Sequence, residues 1–161
     1  FSNISASNIS SMVIRDFHGY TDLSAGKFGS WLEEHQIVRS YKSTPLEEEL
    51  EHVKLTIHCV PQTTWLETII ADIPTICYWN PDDNLIREDL KIFFDELVKV
   101  GVVHYSPESA AVKVNEVSND PSKWWYSKPI RAARKQFQNN VCYTSPDAID
   151  QWSTFINSIK Q

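Results

Sequence analysis

The middle of the chain carries a strand, a hydroxyl-rich turn, a short helix and a second strand in direct succession. Residues 55–60 form one apolar run with β character, and residues 73–79 form another. Between them, Thr63 and Thr64 open a segment whose helical character extends to about Ala71. This order predicts a βαβ unit, in which the two strands are parallel and the helix crosses from one to the other. The chain is therefore expected to fold around a parallel sheet.

Further short apolar runs and helical patterns extend this prediction along the chain. Strands are predicted at residues 12–14 (a buried one), 37–41 and 102–105, and helices at residues 25–35, 45–52, 87–100 and 106–117. Helices that follow the sheet are predicted at residues 121–126, 129–140 and 146–160. Short apolar strands separated by helices are typical of a parallel sheet covered on both faces. The predicted fold is α/β: a Rossmann-like parallel sheet of about five strands with helices on both faces, followed by C-terminal helices.

Capping residues mark several of the helix ends. Thr44 is predicted to cap the helix that starts at Pro45, and Ser106 is predicted to cap the helix that follows it. Gly101 stands where a glycine commonly ends a helix, directly after residues 87–100.

The size and charge of the chain exclude several classes of protein. Its 161 residues are about one domain, enough to bury a full core. The net charge of −6 argues against nucleic-acid binding, because it leaves no basic excess to neutralise phosphates. No apolar run approaches the roughly 20 residues that span a bilayer, and no signal peptide is indicated. A cytoplasmic location is expected, with peripheral attachment to the inner membrane through partners as an alternative.

The cysteines and histidines do not form a metal-binding pattern. The chain has three cysteines, an odd number, and they show no CxxC spacing: Cys59, Cys77 and Cys142. Cys59 and Cys77 lie in apolar strand-like runs, where a free cysteine behaves as a small buried hydrophobe. We therefore expect structural thiols in a reducing compartment. The five histidines show no i, i+4 pair on a helix, so no metal site and no cofactor are predicted.

The turn at Thr63 and Thr64 has two interpretations. At the start of a helix, unpaired backbone N–H groups and the helix dipole can hold an anion, and ligands collect at the carboxyl ends of parallel strands. On this interpretation the turn binds a nucleotide or a phosphorylated sugar. Alternatively, Thr64 and Glu67 form a capping box, in which hydroxyl and carboxylate bind free N–H groups of the first helical turn. The two are not exclusive, because one hydroxyl can cap while its neighbour faces a ligand.

Longer motifs follow this turn in a recognisable order. Thr63-Thr64-Trp65-Leu66-Glu67 is followed by Ile73-Pro74-Thr75-Ile76-Cys77-Tyr78-Trp79-Asn80-Pro81 and then by Val100-Gly101-Val102-Val103-His104. Further matches are residues 106–111, 114–116, 124–125 and 133–137. Together they resemble the donor-binding half of GT-B glycosyltransferases and, more narrowly, a leptospiral-type family of surface-polysaccharide transferases. The resemblance covers roughly residues 14–142; the I-P-T-I-C-Y-W-N-P run is its most specific part, whereas sugar-nucleotide epimerases share the T-T-x-L-E turn.

The resemblance implies a two-domain enzyme with a cleft between two Rossmann-like halves. Residues 1–161 would be the donor-binding half, truncated at its N-terminus, since the chain begins at Phe1 rather than Met. Residues 121–161 would be a C-terminal helical extension of the same domain. An N-terminal acceptor domain would hold the catalytic base, so the catalytic residues are unknown within this chain, which is not expected to be active alone. The implied partners are a nucleotide-sugar donor and a glycan or lipid-linked acceptor.

Four residues at the turn are candidates for donor binding by this resemblance. Glu67 would accept hydrogen bonds from the hydroxyls of a sugar or ribose diol. Thr63 and Thr64 would offer hydroxyl and backbone N–H donors to a phosphate. Gln62 would add an amide contact.

Two further pairs of residues complete the candidate site. Arg15 and His18 follow the first predicted strand, where related transferases place an arginine and a histidine that supply positive charge to a leaving phosphate. Asn80 and Asp82 follow the strand at residues 73–79 and are candidates for the edge of the cleft, although turn-forming residues are expected there in any case.

The late helix carries basic and aromatic residues for which packing or solvation is the expected role. Arg131, Arg134 and Lys135 are predicted to form a solvated face rather than a ligand clamp. Trp124 and Trp125 are predicted to anchor the C-terminal helices by packing.

The leading hypothesis is a glycosyltransferase donor-binding domain that acts in cell-surface polysaccharide biosynthesis. Catalysis would rest on positioning and on charge stabilisation of the departing phosphate, without a required metal. Two alternatives stay open: a sugar-nucleotide 2-epimerase-like enzyme, and a non-catalytic α/β binding domain in which the turn only caps its helix.

Overall fold

The computed structural model describes residues 3–15, 26–40, 45–143 and 145–159 of the chain. The strands are β1 (Val13–Arg15), β2 (Val38–Ser40), β3 (Thr56–His58), β4 (Thr75–Tyr78) and β5 (Val103–His104). The helices before β4 are α1 (Ala6–Ile9), α2 (Gly26–Glu34), α3 (Leu46–Leu50) and α4 (Thr63–Ile70). Those after it are α5 (Lys91–Lys99), α6 (Pro107–Val117), α7 (Pro121–Trp125), α8 (Lys128–Asn140) and α9 (Ala148–Ser158).

The larger sheet contains β3, β4 and β5 in that order, and all three strands are parallel. His58 lies opposite Cys77, and Tyr78 lies opposite His104. α4 connects β3 to β4, and α5 connects β4 to β5, as the βαβ pattern predicts. The carboxyl ends of the three strands therefore lie at one edge of the sheet, which we call the carboxyl edge.

Helices pack on both faces of this sheet. On one face, α4, α5, α7 and α8 bury an apolar cluster that we call the aromatic core: Trp65, Ile69, Cys77, Trp79, Phe94, Leu97, Val102, Val103, Trp125, Ile130, Ala133 and Phe137. On the other face, α6 packs Ala110, Val114 and Val117 against Ile76 of β4. Successive side chains of a strand point to opposite faces, so β4 is buried from both sides. The predicted α/β class with a parallel sheet is confirmed.

The first two strands form a separate, two-stranded parallel sheet, in which Val13 lies opposite Val38. Among the described residues no ladder joins β2 to β3, so one sheet of about five strands is not confirmed. The prediction of a buried strand at residues 12–14 is wrong, because Val13 is 59 % exposed. The preceding helix α1 is tied to α6, where Asn115 accepts hydrogen bonds from the backbone N–H of Ser5 and the amide of Asn8.

Capping explains several helix ends. The Ser106 hydroxyl accepts a hydrogen bond from the Ser109 N–H at 3.2 Å, and Gly101 has a φ of 75° directly after α5; both predictions are confirmed. α5 begins at Lys91 rather than at residue 87. Pro45 is itself the N-cap of α3 instead of its first helical residue, and Thr44 lies outside the described residues.

The C-terminal helices differ in how they pack. α8 contributes Ile130, Ala133 and Phe137 to the aromatic core, whereas no residue of α9 is buried. Within the described ranges, no helix has the length and apolar character needed to cross a membrane.

The cysteines are free thiols in different surroundings. Cys77 lies in the central strand and is fully buried, which raises the pKa of its thiol. Cys59 is exposed, so the expectation that it is buried is wrong. It follows β3, which pairs with β4 alone among the described strands.

An ion pair between a buried guanidinium and a half-exposed carboxylate ties the end of α4 to the C-terminal helices. Asp72 has a φ of 60° directly past α4, and both its carbonyl and its Oδ1 accept from the Trp125 indole N–H, at 3.1 and 3.0 Å. The carboxylate also pairs with the Arg134 guanidinium, which lies 3.9 Å over the Trp125 ring.

Arg134 is buried, so the prediction of a solvated face is wrong for this residue. It shares the core-facing stripe of α8 with Ile130, Ala133 and Phe137, at i, i+3, i+4 and i+7 spacing.

Asp72→Asn is expected to lower the free energy of unfolding by about 2 kcal/mol. The substitution leaves a buried guanidinium without a charged partner, which costs roughly 3–5 kcal/mol in fully buried pairs; the Asp72 side chain is half-exposed, so water offsets part of the loss. Asparagine tolerates the left-handed backbone at this position. Denaturant unfolding measures the effect. Asp89→Asn, which breaks the exposed pair with Arg87, serves as the control with little effect, and an equal loss in both variants contradicts the prediction.

Candidate functional site

The carboxyl edge brings three chain segments together. Gln62, Thr63 and Thr64 follow β3, residues 79–83 follow β4, and residues 105–109 follow β5. Parallel pairing alone places them side by side, because each strand ends at the same edge. In open parallel sheets this is the edge at which ligands bind.

The start of α4 exposes unpaired hydrogen-bond donors. Gln62 is the N-cap, with extended backbone and no side-chain capping bond. Its carbonyl accepts from the N–H groups of Trp65 and Leu66. No acceptor among the described residues receives the N–H groups of Gln62, Thr63 or Thr64. These three backbone N–H groups therefore point out of the positive end of the helix dipole with their hydrogen-bonding capacity unused.

The capping-box interpretation of the turn is wrong. A capping box needs the threonine at the N-cap and the acid three residues later. Since α4 begins at Thr63, Thr64 is its second residue and Glu67 lies too far into the helix. The side chains of Gln62, Thr63, Thr64 and Glu67 are exposed and make no hydrogen bond within the described part of the chain. They are free to contact a ligand.

Glu67 lies on the same side of α4 as the two threonines. It is four residues after Thr63 and three after Thr64, the spacings that bring side chains together on a helix. Trp65 and Ile69 point the other way, into the aromatic core. Hydroxyls, backbone N–H groups and one carboxylate therefore share the exposed side of the first turns of α4.

Arg15 is engaged in an ion pair. As the last residue of β1, it lies 2.7 Å from the Glu49 carboxylate of α3. Burial alone raises the pKa of Glu49, but hydrogen bonds from Ser40 and Arg15 and the charge of Arg15 hold that pKa below its ordinary value. The described structure gives no contact between Arg15 and the start of α4, and His18 lies outside the described residues. A phosphate-binding role for Arg15 and His18 stays a prediction.

Asn80 and Asp82 lie at the carboxyl edge, in the turn after β4. The Asn80 side-chain oxygen accepts from the Asp82 N–H at 3.1 Å, and its carbonyl accepts from the Asp83 N–H at 3.0 Å. The Asn80 side chain thus stabilises the turn. Both residues are exposed, and the Asp82 carboxylate remains available at this edge.

Two histidines, His58 and His104, also lie at the carboxyl edge. Their spacing in the sequence had been used only to test for a metal site. His58 ends β3, and burial lowers its pKa to about 4; its Nε2 lies 3.4 Å from the Thr68 hydroxyl. His104 ends β5, and burial lowers its pKa as well, against the opposing effect of a 3.0 Å hydrogen bond to the Gly101 carbonyl. Both imidazoles are neutral near pH 7. Their position as the last residue of a strand is the sequence signal that could have indicated them.

His104 has a defined tautomer. Its Nε2 donates to the Gly101 carbonyl, so Nδ1 of the neutral ring is unprotonated. The Ser109 hydroxyl lies 3.1 Å from this Nδ1 and 3.0 Å from the Ser106 carbonyl, and its single proton can bond to either acceptor. His104 and Ser109 lie at the start of α6, two strands away from Thr63. Among the described residues, no group of three or more His, Cys, Asp or Glu side chains is placed to hold a metal ion.

A cavity among the described residues lies away from the start of α4. It has a volume of about 320 Å³ and is lined by Tyr126 and residues of α8. The candidate donor site is therefore an exposed surface at the carboxyl edge. What it offers a ligand is its set of free hydrogen-bond donors and acceptors.

The chain matches the model of a known protein family. The model described as LIC12162 family transferase matches residues 1–156. Comparisons with curated proteins and with solved structures give no match. The match confirms the resemblance to a leptospiral-type transferase family that the ordered motifs predict.

Proposed function

Because the chain belongs to the LIC12162 family of transferases, we propose that it is the donor-binding half of a glycosyltransferase with GT-B architecture. It would transfer a sugar from a nucleotide-activated donor to a glycan or lipid-linked acceptor during cell-surface polysaccharide biosynthesis. Membership of a transferase family supports group transfer between a donor and an acceptor. The identity of the donor and the architecture beyond this chain are part of the proposal.

The observation that carries the proposal is the set of free groups at the start of α4. The backbone N–H groups of Gln62, Thr63 and Thr64 lack acceptors within the described residues, at a helix end where the dipole favours negative charge. The capping role that would have explained Thr64 and Glu67 without a ligand is excluded by where the helix begins. A phosphate of the donor supplies the missing acceptors.

Each group has a role that follows from its chemistry. The three N–H groups and the threonine hydroxyls would hold the phosphate and stabilise the charge that develops as it departs. The Glu67 carboxylate has two acceptor oxygens, which suit a pair of neighbouring hydroxyls on the sugar or ribose. Asp82 would line the cleft edge. We propose that positioning and charge stabilisation supply the catalysis, with no metal or cofactor assigned.

Glu67→Ala is expected to weaken nucleotide-sugar binding about tenfold or more, because hydrogen bonds to a charged group contribute roughly 1.5–3 kcal/mol. Calorimetric titration of the full-length enzyme with a panel of nucleotides and nucleotide sugars measures this. Glu48→Ala is the control, because Glu48 is also an exposed helical carboxylate but lies on α3, outside the candidate site, and the variant should bind like the wild type.

The outcomes of this titration are distinct. Absence of binding to any nucleotide by the wild-type enzyme defeats the proposal. Binding that Glu67→Ala leaves unchanged removes Glu67 from the site. Product analysis with donor and no acceptor then tests the reaction, since an epimerised donor contradicts sugar transfer as the primary activity.

A further inference from the structure

An open cavity on the C-terminal helices is lined mainly by cations. Its volume is about 320 Å³, and its walls are Tyr126, Lys128, Arg131, Ala132 and Lys135. The three basic residues follow each other at i, i+3 and i+7 along α8, so they lie on one face of the helix. We call this cavity the basic groove.

The three cations of the basic groove have no partner among the described residues. In the described part of the chain, none of them forms an ion pair or a side-chain hydrogen bond. Some of the other described basic residues pair with acids, such as Arg87 with Asp89 and Lys113 with Glu116. Unpaired like charges on one helix face repel each other, and they lie in a chain whose net charge is −6. An anionic ligand would relieve this repulsion.

One wall of the basic groove is held in place by the ion pair between Asp72 and Arg134. The Tyr126 hydroxyl donates to the Asp72 carbonyl at 3.3 Å. The Asp72 carboxylate is paired with Arg134, so its negative charge is compensated within the protein. Arg134 in turn stacks on Trp125. The groove therefore has an aromatic wall fixed by the core on one side and extended cationic side chains on the other.

The basic groove is separate from the candidate donor site. Asp72, which binds Tyr126, lies past the C-terminal end of α4, whereas the free N–H groups lie at its start. An eight-residue helix is roughly 12 Å long. The two places are thus at opposite ends of α4.

We propose that the basic groove binds a phosphate-bearing group distinct from the sugar donor at α4. Arg131 suits bidentate contact with phosphate oxygens, and Lys128 and Lys135 act as flexible point charges. Tyr126 covers an apolar or ring portion attached to the phosphate. The cavity is open to solvent, so it can receive either a free phosphate compound or the headgroup of an anionic lipid.

The test uses the full chain, with inorganic pyrophosphate as the soluble probe and vesicles as the lipid probe. Pyrophosphate binding is measured by calorimetry and located by amide chemical shifts. Vesicles of phosphatidylcholine, with and without phosphatidylglycerol, are used in co-sedimentation. The variant is Arg131→Gln with Lys135→Gln, and the matched control is Lys54→Gln with Lys91→Gln, which removes the same charge from exposed lysines outside the groove.

We expect the groove variant to bind at least one probe more than about tenfold more weakly, because the loss of even one hydrogen bond to a charged group weakens binding about tenfold. The control variant should bind close to wild type. Loss of pyrophosphate binding, with shifts at residues 126–135, identifies a soluble phosphate ligand; loss of binding to phosphatidylglycerol vesicles alone identifies a headgroup. The proposal is overturned if neither probe binds, if both variants lose affinity equally, or if shifts occur only at residues 62–67. Circular dichroism confirms that the exposed substitutions leave the fold unchanged.

Discussion

Trp65→Ala is expected to lower the free energy of unfolding by about 3–5 kcal/mol, the range for removing a large buried aromatic side chain. Trp65 is 1 % exposed, and its ring centroid lies 5.4 Å from that of Phe137 and 6.0 Å from that of Phe94. These partners belong to α8 and α5, so the indole joins three helices across one face of the sheet. Denaturant unfolding of the wild type and the variant at neutral pH measures the loss.

The control for this substitution is Trp152→Ala. Trp152 is 64 % exposed on α9, and exposed substitutions usually change stability by no more than about 0.5 kcal/mol. A comparable loss in both variants, or a loss below about 1 kcal/mol for Trp65→Ala, contradicts the packing described for the aromatic core. Because Trp65 lies in the first turn of α4, its removal is also expected to displace Thr63 and Thr64 and to weaken donor binding.

Acidification from pH 7 to about pH 4 is expected to remove about 3 kcal/mol of stability through His58 alone. Burial lowers the pKa of this imidazole from 6.5 to about 4. Between these values the unfolded chain binds a proton that the folded chain does not, so the contribution is fully present above pH 6.5 and is lost as pH falls toward 4. The size follows from 1.36 kcal/mol per pH unit of pKa difference.

The His58→Gln variant isolates this effect, because it removes the titrating group and leaves the carboxylates unchanged. Its free energy of unfolding should fall less steeply with acidification than that of the wild type. His104 remains in the variant and acts in the same direction, since burial also lowers its pKa. The exposed His52→Gln serves as control. Parallel pH profiles for wild type and His58→Gln disprove the assignment.

Local patterns predicted the elements of the structure well because they depend on neighbouring residues. The βαβ order around Thr63, the glycine after α5 and the Ser106 cap all follow from periodicity and capping chemistry within a few positions. The grouping of strands into one sheet was not predictable in this way. Whether β2 pairs with β3 depends on contacts between segments, and the described residues form two sheets instead of one.

In the candidate site too, the sequence predicted which groups are present, and the tertiary structure decided what they contact. The sequence predicted that a helix begins with two hydroxyls and a nearby carboxylate, those of Thr63, Thr64 and Glu67. Whether these side chains cap the helix or stay free depended on a two-residue difference in the N-cap of α4, which is Gln62 rather than Thr64; sequence patterns do not define helix ends that finely. Arg15 was a candidate by position, and only the structure shows the partnership with Glu49 of α3.

The sequence by itself determined the α/β class, the parallel βαβ order and the transferase family of this protein, because apolar runs, turn residues and ordered motifs are carried by contiguous residues. Tertiary structure alone decided which of the similar residues are buried and which are free. Arg134 is paired with Asp72, 62 positions away, while Arg131, three positions before it, faces the basic groove. The physical reason is that burial and charge pairing depend on which helices meet across the sheet, and contacts between distant segments leave no periodic trace in the chain.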